Sequence, residues 1–130
     1  MKPLVFHFPL PPNANRSGWG HWKAYKAKQA WYAAADLLLA AKKLPRPPKV
    51  PYDKCWLSAV LTMSRAMDDE NAAFRANKFA RDFLKRTGYI VDDSRKHCRI
   101  IGMPDQVITR TVPPGLCITL TPVKDWDLTA

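Results

Sequence analysis

Acidic side chains are concentrated in one stretch of an otherwise basic chain. Six of the eleven Asp and Glu residues lie within residues 68–93. Asp68, Glu70 and Asp93 would supply three carboxylates for a hard divalent cation such as Mg²⁺. Lys78 would supply a positive charge beside a phosphate. Metal-dependent cleavage of a phosphodiester needs such a set of groups, so this stretch indicates a candidate nuclease site.

The local sequence predicts how these side chains are presented. If a strand ends at Asp68 and Glu70, extended backbone turns both carboxylates to one side and the intervening residue to the other. Asn71 is a good N-cap for a helix over residues 71–87, and Gly88 suits the position just past its end. The next turn, with the sequence TGYIVDDS, then brings further acids toward the site.

The predicted helix separates into a polar and an apolar face at ~100° per residue. Lys78 follows Asn71 by seven residues and therefore projects from the same side. The polar face comprises Asn71, Arg75, Lys78, Asp82 and Lys85, and the face to be buried comprises Ala73, Ala76, Ala80, Phe83 and Leu84.

The same residues also have a purely structural interpretation. Acidic side chains at the start of a helix interact favourably with the helix dipole, whether or not they have another role. Lys78 and Asp82 are four residues apart, which is the spacing of a surface ion pair. Asp92 and Asp93 follow an apolar run, as turn residues commonly do.

The charge of the chain indicates a polyanionic partner. Its 130 residues include 21 Lys and Arg against 11 Asp and Glu, a net charge of +10, which favours nucleic acid. We expect Trp19 and Trp22 to be core or dimer-interface residues rather than stacking platforms for unpaired bases. The candidate contacts to the DNA backbone are Arg16, Lys23, Lys26, Lys28, Arg75 and Arg81.

Hydrophobic periodicity and proline placement predict a single domain over residues 1–130. The expected class is α+β, a small mixed β-sheet with two main helices packed on it. Strands are expected at 3–8, 55–64, 97–102, 107–112 and 115–121, helices at 21–43 and 71–87, an irregular proline-rich connector at 44–54, and a loose tail from 123.

Several classes of protein are excluded by composition. No apolar run approaches the roughly 20 residues that span a bilayer, and prolines interrupt the N-terminus too early for a signal peptide. The three cysteines form no CxxC pair and the histidines lack zinc-ligand spacing, which favours a reducing cytoplasm and argues against zinc.

The segment 68–93 resembles the RusA family of Holliday junction resolvases, in particular its phage-borne relatives. Members show D-x-D-N, a lysine further along the same helix, a step such as Asp-Ala-Leu, a glycine, a few apolar residues and D-D. Here these read DDEN at 68–71, Lys78, Asp82-Phe83-Leu84, Gly88 and Asp92-Asp93, after an opening FPLPPNAN at 8–15. Two positions depart from the pattern. Glu70 stands where most members have Asp, and Lys78 lies two residues further from the D-x-D-N motif than in the bacterial prototype.

The resemblance implies a homodimer that nicks four-way DNA junctions with Mg²⁺ or Mn²⁺ during recombination or repair, in the cytoplasm of a bacterial or phage-infected cell. Asp68, Glu70 and Asp93 fall on the metal-binding acidic positions, with Asp92 assisting, and Lys78 falls on the catalytic lysine. The metal would lower the pKa of a water that attacks the phosphate. Two alternatives remain: a non-catalytic DNA-binding protein, and a nuclease of the same fold acting on flaps or other branched DNA.

Overall fold

The chain forms a mixed β-sheet with two long helices. A computed structural model describes residues 2–13 and 20–126. Its elements are β1 (Leu4–Phe8), α1 (His21–Ala40), β2 (Cys55–Met63), α2 (Asp69–Arg86), β3 (Cys98–Ile100), β4 (Asp105–Ile108) and β5 (Gly115–Pro122). This arrangement confirms the predicted small α+β fold, while the likeness to the RusA fold stays a prediction.

β2 is the central strand of the sheet. β5 pairs antiparallel with one edge of β2, and β1 pairs antiparallel with the far side of β5. Two short parallel strands share the other edge of β2, with β3 beside residues 55–57 and β4 beside residues 60–63. A parallel pair needs a crossover connection, and α2 supplies it between β2 and β3.

The core lies on the face of the sheet against which α2 packs. Residues alternate between buried and half-buried along β2 and β5, as expected where one face is covered. Four of the five α2 residues predicted to be buried are buried, but Ala73 is only half-buried. Ala72 and Phe79, which the prediction left out, lie in the core as well.

Aromatic rings tie α1 to this core. The Phe83 ring of α2 lies 5.4 Å from the ring of Phe8 and 6.5 Å from that of Trp31. Trp31 also donates a hydrogen bond of 2.8 Å from its indole Nε1 to the backbone oxygen of Pro9. These contacts hold α1 and the segment after β1 beside α2.

Several predicted boundaries differ from the structure. β4 spans Asp105–Ile108 rather than 107–112, and β3 spans Cys98–Ile100 rather than 97–102. α1 ends at Ala40 rather than 43, and Lys42 then adopts a left-handed φ of 60°. The tail from 123 is not loose where it is described, because Trp126 packs at 5.3 Å from Trp56 and lies 4.1 Å from the guanidinium of Arg99. A large aromatic ring gains enough from such burial and cation–π contact to order the chain.

The proline-rich connector at 44–54 contains no helix and only an isolated bridge at Tyr52, as predicted. Within residues 2–13 and 20–126, neither helix combines the length and the apolar composition that crossing a membrane requires.

Candidate functional site

The acidic stretch begins as the cap of α2. Asp68 has extended backbone and is the N-cap residue, and its side chain accepts a 3.2 Å hydrogen bond from the backbone N–H of Asn71. The Asn71 amide also donates to the other Asp68 oxygen at 2.6 Å. The prediction that Asn71 caps the helix is therefore wrong, because an aspartate three residues earlier caps it equally well.

This cap changes the presentation of the acids. Asp69 and Glu70 lie in the first turn of α2, so the alternation of an extended strand does not extend through them. All three carboxylates are exposed at the positive end of the helix dipole. The hydrogen bonds from the Asn71 backbone and side chain lower the pKa of Asp68 below its usual value.

The other two predicted metal ligands lie at the opposite end of α2. Gly88 has a left-handed φ of 86° and reverses the chain after the helix, as predicted. Asp92 then forms a 3.0 Å ion pair with Lys85 in the last turn, which lowers the Asp92 pKa to about 2. The backbone oxygen of Asp93 accepts a 3.3 Å hydrogen bond from Arg81.

The predicted ligand set is consequently not assembled within one chain. Asp68 and Lys85 are separated by seventeen residues of continuous helix, or about 25 Å along the axis at ~1.5 Å per residue. Across the described segments 2–13 and 20–126, no three His, Cys, Asp or Glu side chains are grouped so that they could hold a metal ion. Among the described residues of one copy of the chain, Asp68, Glu70 and Asp93 are therefore not grouped, and the Mg²⁺ site stays a prediction.

Lys78 is exposed, and the surface ion pair considered for it is not formed. Asp82 instead accepts a 3.0 Å hydrogen bond from the hydroxyl of Tyr32 on α1. Lys78 lines a cavity of about 210 Å³ between the two helices. The cavity-lining residues are His21, Ala24, Tyr25, Lys28, Phe74, Lys78 and Phe79.

The predicted DNA contacts divide into two groups. Lys23 and Lys26 are exposed and Lys28 is half-buried on the first half of α1, whose first turn contains no acid. Arg75 and Arg81 are half-buried and serve the packing of the chain. Arg75 Nε donates a 2.6 Å hydrogen bond to the backbone oxygen of Pro11, and Arg81 reaches the loop after α2.

Arg16 and Trp19 lie outside the described residues. Trp22 is not a core residue, because 65% of its surface is exposed. Its ring stacks on that of Tyr25, with centroids 5.7 Å apart and planes inclined by 17°. Lys26 Nζ lies 5.3 Å from the centre of the Trp22 ring.

Sequence reasoning missed His21, Tyr25 and Phe74 as residues of this surface. The first two could have been found from their spacing, since positions 21, 25 and 28 fall on one side of a helix. Phe74 could not, because its place beside Tyr25 depends on how α2 packs against α1.

Comparison with known proteins does not identify a family for this chain. Neither the protein-family models nor the curated protein sequences compared with the chain gave a match.

Proposed function

We propose that the protein is a metal-dependent DNA endonuclease that acts on branched DNA as a homodimer, with four-way junctions as the preferred substrate. The observation that carries this proposal is the exposed acidic start of α2 in a chain of net charge +10. Asp68 and Glu70 are carboxylates of the kind that bind Mg²⁺ or Mn²⁺. The junction preference rests on the resemblance to the RusA family.

Lys78 has the exposure that a phosphate-contacting residue needs. It lies on α2 about 10 Å along the axis from Asn71, and no acid among the described residues forms an ion pair with it. A lysine so placed would offset the charge that develops on the phosphoryl oxygens during cleavage.

A second copy of the chain would complete the set of acids. A two-fold axis perpendicular to α2 at its middle would make the two α2 helices antiparallel and would set Asp68 and Glu70 of one protomer near Asp93 of its partner. Each dimer then has two equivalent sites, one for each of two strands in a junction of near two-fold symmetry. Bound there, a divalent cation would activate a water and polarise a phosphate oxygen.

A non-catalytic DNA-binding protein is the second candidate. It is favoured by the partners that the acids already have. Asp68 caps α2, and Asp92 forms an ion pair with Lys85. The backbone oxygen of Asp93 accepts a hydrogen bond from Arg81. In that case the acids stabilise the two ends of α2, and the positive charge of the chain alone accounts for binding.

A cleavage assay distinguishes these functions. The full chain is incubated with labelled four-way junction, flap and matched duplex DNA, in Mg²⁺, in Mn²⁺ and in chelator. Paired symmetric nicks in the junction, dependent on metal, are expected. Metal-dependent cutting of flaps or duplex alone would discard the junction preference, and binding without cutting in either metal would leave the non-catalytic function.

One substitution tests the acid assignment directly. Asp93→Asn is expected to abolish cleavage and to maintain or tighten junction binding, because it removes a negative charge near a phosphate. Asp105→Asn, at an exposed acid on β4, removes the same charge outside the predicted ligand set and is the matched control. Normal cleavage by Asp93→Asn would show that this carboxylate does not hold the metal.

A further inference from the structure

Trp22 and Tyr25 form an aromatic platform on α1 that the proposed cleavage site does not use. The two rings stack nearly parallel, while 65% of Trp22 and 47% of Tyr25 is exposed. Their apolar surface gains nothing from the core, which other aromatic residues fill. Large exposed aromatic surface of this kind commonly marks a binding site.

The surroundings of the platform are cationic. Lys26 lies over the Trp22 ring, and Lys28 and Lys78 line the adjoining cavity with Tyr25. No acid is present among the described residues that line this cavity. Asp36, the acid of α1, lies in the second half of the helix and pairs with Arg86 at 2.9 Å.

The cavity beside the platform suits a flat group docked at the surface. Its volume of about 210 Å³ is smaller than the ~300–1,000 Å³ of pockets that enclose whole small-molecule ligands. Phe74 and Phe79 are large apolar residues of its lining, and Lys28 and Lys78 line it as well. A ligand with a planar apolar face and a negative charge at its edge would match these apolar and cationic lining residues.

We infer that the Trp22–Tyr25 platform binds unpaired nucleotides of single-stranded DNA, with a base stacked on the exposed rings and neighbouring phosphates at Lys26, Lys28 and Lys78. Aromatic stacking is available to every base, but only when that base is not already stacked inside a duplex. The platform would therefore discriminate unpaired strands from continuous duplex. This inference deepens the proposed action on branched DNA, where bases at a crossover or flap are unpaired.

The test measures binding in chelator, so that loss of the proposed nuclease chemistry leaves the readout intact. A labelled oligo-dT strand, long enough for a site of ~4–16 nucleotides, is compared with a duplex of equal length by fluorescence anisotropy. Trp22→Ala with Tyr25→Ala is expected to weaken single-strand binding roughly 5- to 140-fold for one lost stack. Duplex binding is expected to change less than about twofold, since phosphate contacts dominate it.

Two control variants separate stacking from other causes. Trp22→Phe retains an aromatic face and is expected to preserve most single-strand affinity. Leu37→Ala removes another exposed apolar side chain from the same helix, 71% exposed, and is expected to leave both affinities unchanged. Thermal melting checks that each variant is folded.

Three results would overturn the inference. The first is unchanged single-strand affinity in the double variant. The second is an equal loss for single strand and duplex, which would assign the rings to general DNA binding. The third is a dimer that dissociates on Trp22→Ala in sedimentation velocity, which would assign the platform to the contact between copies of the chain.

Discussion

The acids at the two ends of α2 meet only if two copies of the chain combine them, and mixing two inactive variants tests this. Asp68→Asn disables the half of each proposed site at the start of α2, and Asp93→Asn disables the half beyond its end. In a mixed dimer, one composite site carries both substitutions and the other carries neither. Cleavage is therefore expected from the mixture although each variant alone is inactive.

The length of α2 explains why one chain is not expected to assemble the site, and the fraction of mixed dimers sets the activity that is recovered. Asp68 and Lys85 are about 25 Å apart along α2 at ~1.5 Å per residue. Asp92, the neighbour of Asp93, is paired with Lys85 at 3.0 Å and therefore lies far from Asp68. Metal–oxygen bonds of about 2.0–2.6 Å cannot join the two within one chain. When protomers exchange freely, about half of the dimers are mixed and each has one intact site of two, so about a quarter of wild-type activity returns.

The assay uses labelled four-way junction in Mg²⁺ after the two variants are unfolded together and refolded. Tags of different mass on the variants establish that mixed dimers form. Each mixed dimer is expected to nick one strand rather than a symmetric pair. Absence of cleavage despite confirmed exchange would refute the composite site, and cleavage by either variant alone would refute the role of that acid.

Four further outcomes are expected. Asp68→Ala, which cannot accept the cap hydrogen bonds, should lower the melting temperature by a few degrees, whereas Asp68→Asn should not, as measured by circular dichroism. Lys85→Ala should raise the pKa of Asp92 from about 2 toward its usual 3.8, measured by NMR titration of the carboxyl carbon. Because the folded-state pKa of Asp92 is depressed, its ion pair stabilises the protein above about pH 3.8 and is lost as the pH falls toward 2. Urea titrations should therefore show a weaker acid destabilisation in Lys85→Ala. Phe83→Ala should reduce the free energy of unfolding by about 3–5 kcal/mol in urea, since the ring is fully buried among other rings. Lys26→Ala should reduce the slope of log affinity against log salt by about 1 with unchanged melting, and an unchanged slope would remove this lysine from the DNA contacts.

Local chemistry explains why much of the fold could be predicted. β2 alternates buried and half-buried residues, and α2 has an apolar stripe and a glycine just past its end. Such patterns depend on residues close in sequence, so they can be recognised without knowledge of the rest of the chain. The error at the start of α2 has the same origin, because Asp68 and Asn71 are both good caps and local propensity does not choose between them.

The sequence by itself determined the two helices, the main strands, the positive charge and the presence of clustered acids. Only the tertiary structure decided which of these groups are neighbours. α2 carries the chain from one end of β2 to the other, so the Asp68 and Asp93 regions that lie 25 positions apart in sequence are held at opposite ends of a rigid helix. The packing of α1 on α2 likewise leaves Trp22 outside the core and places Lys28 and Lys78 in one cavity. A helix fixes distance along its axis, but which side chains meet across two elements depends on packing that local sequence does not encode.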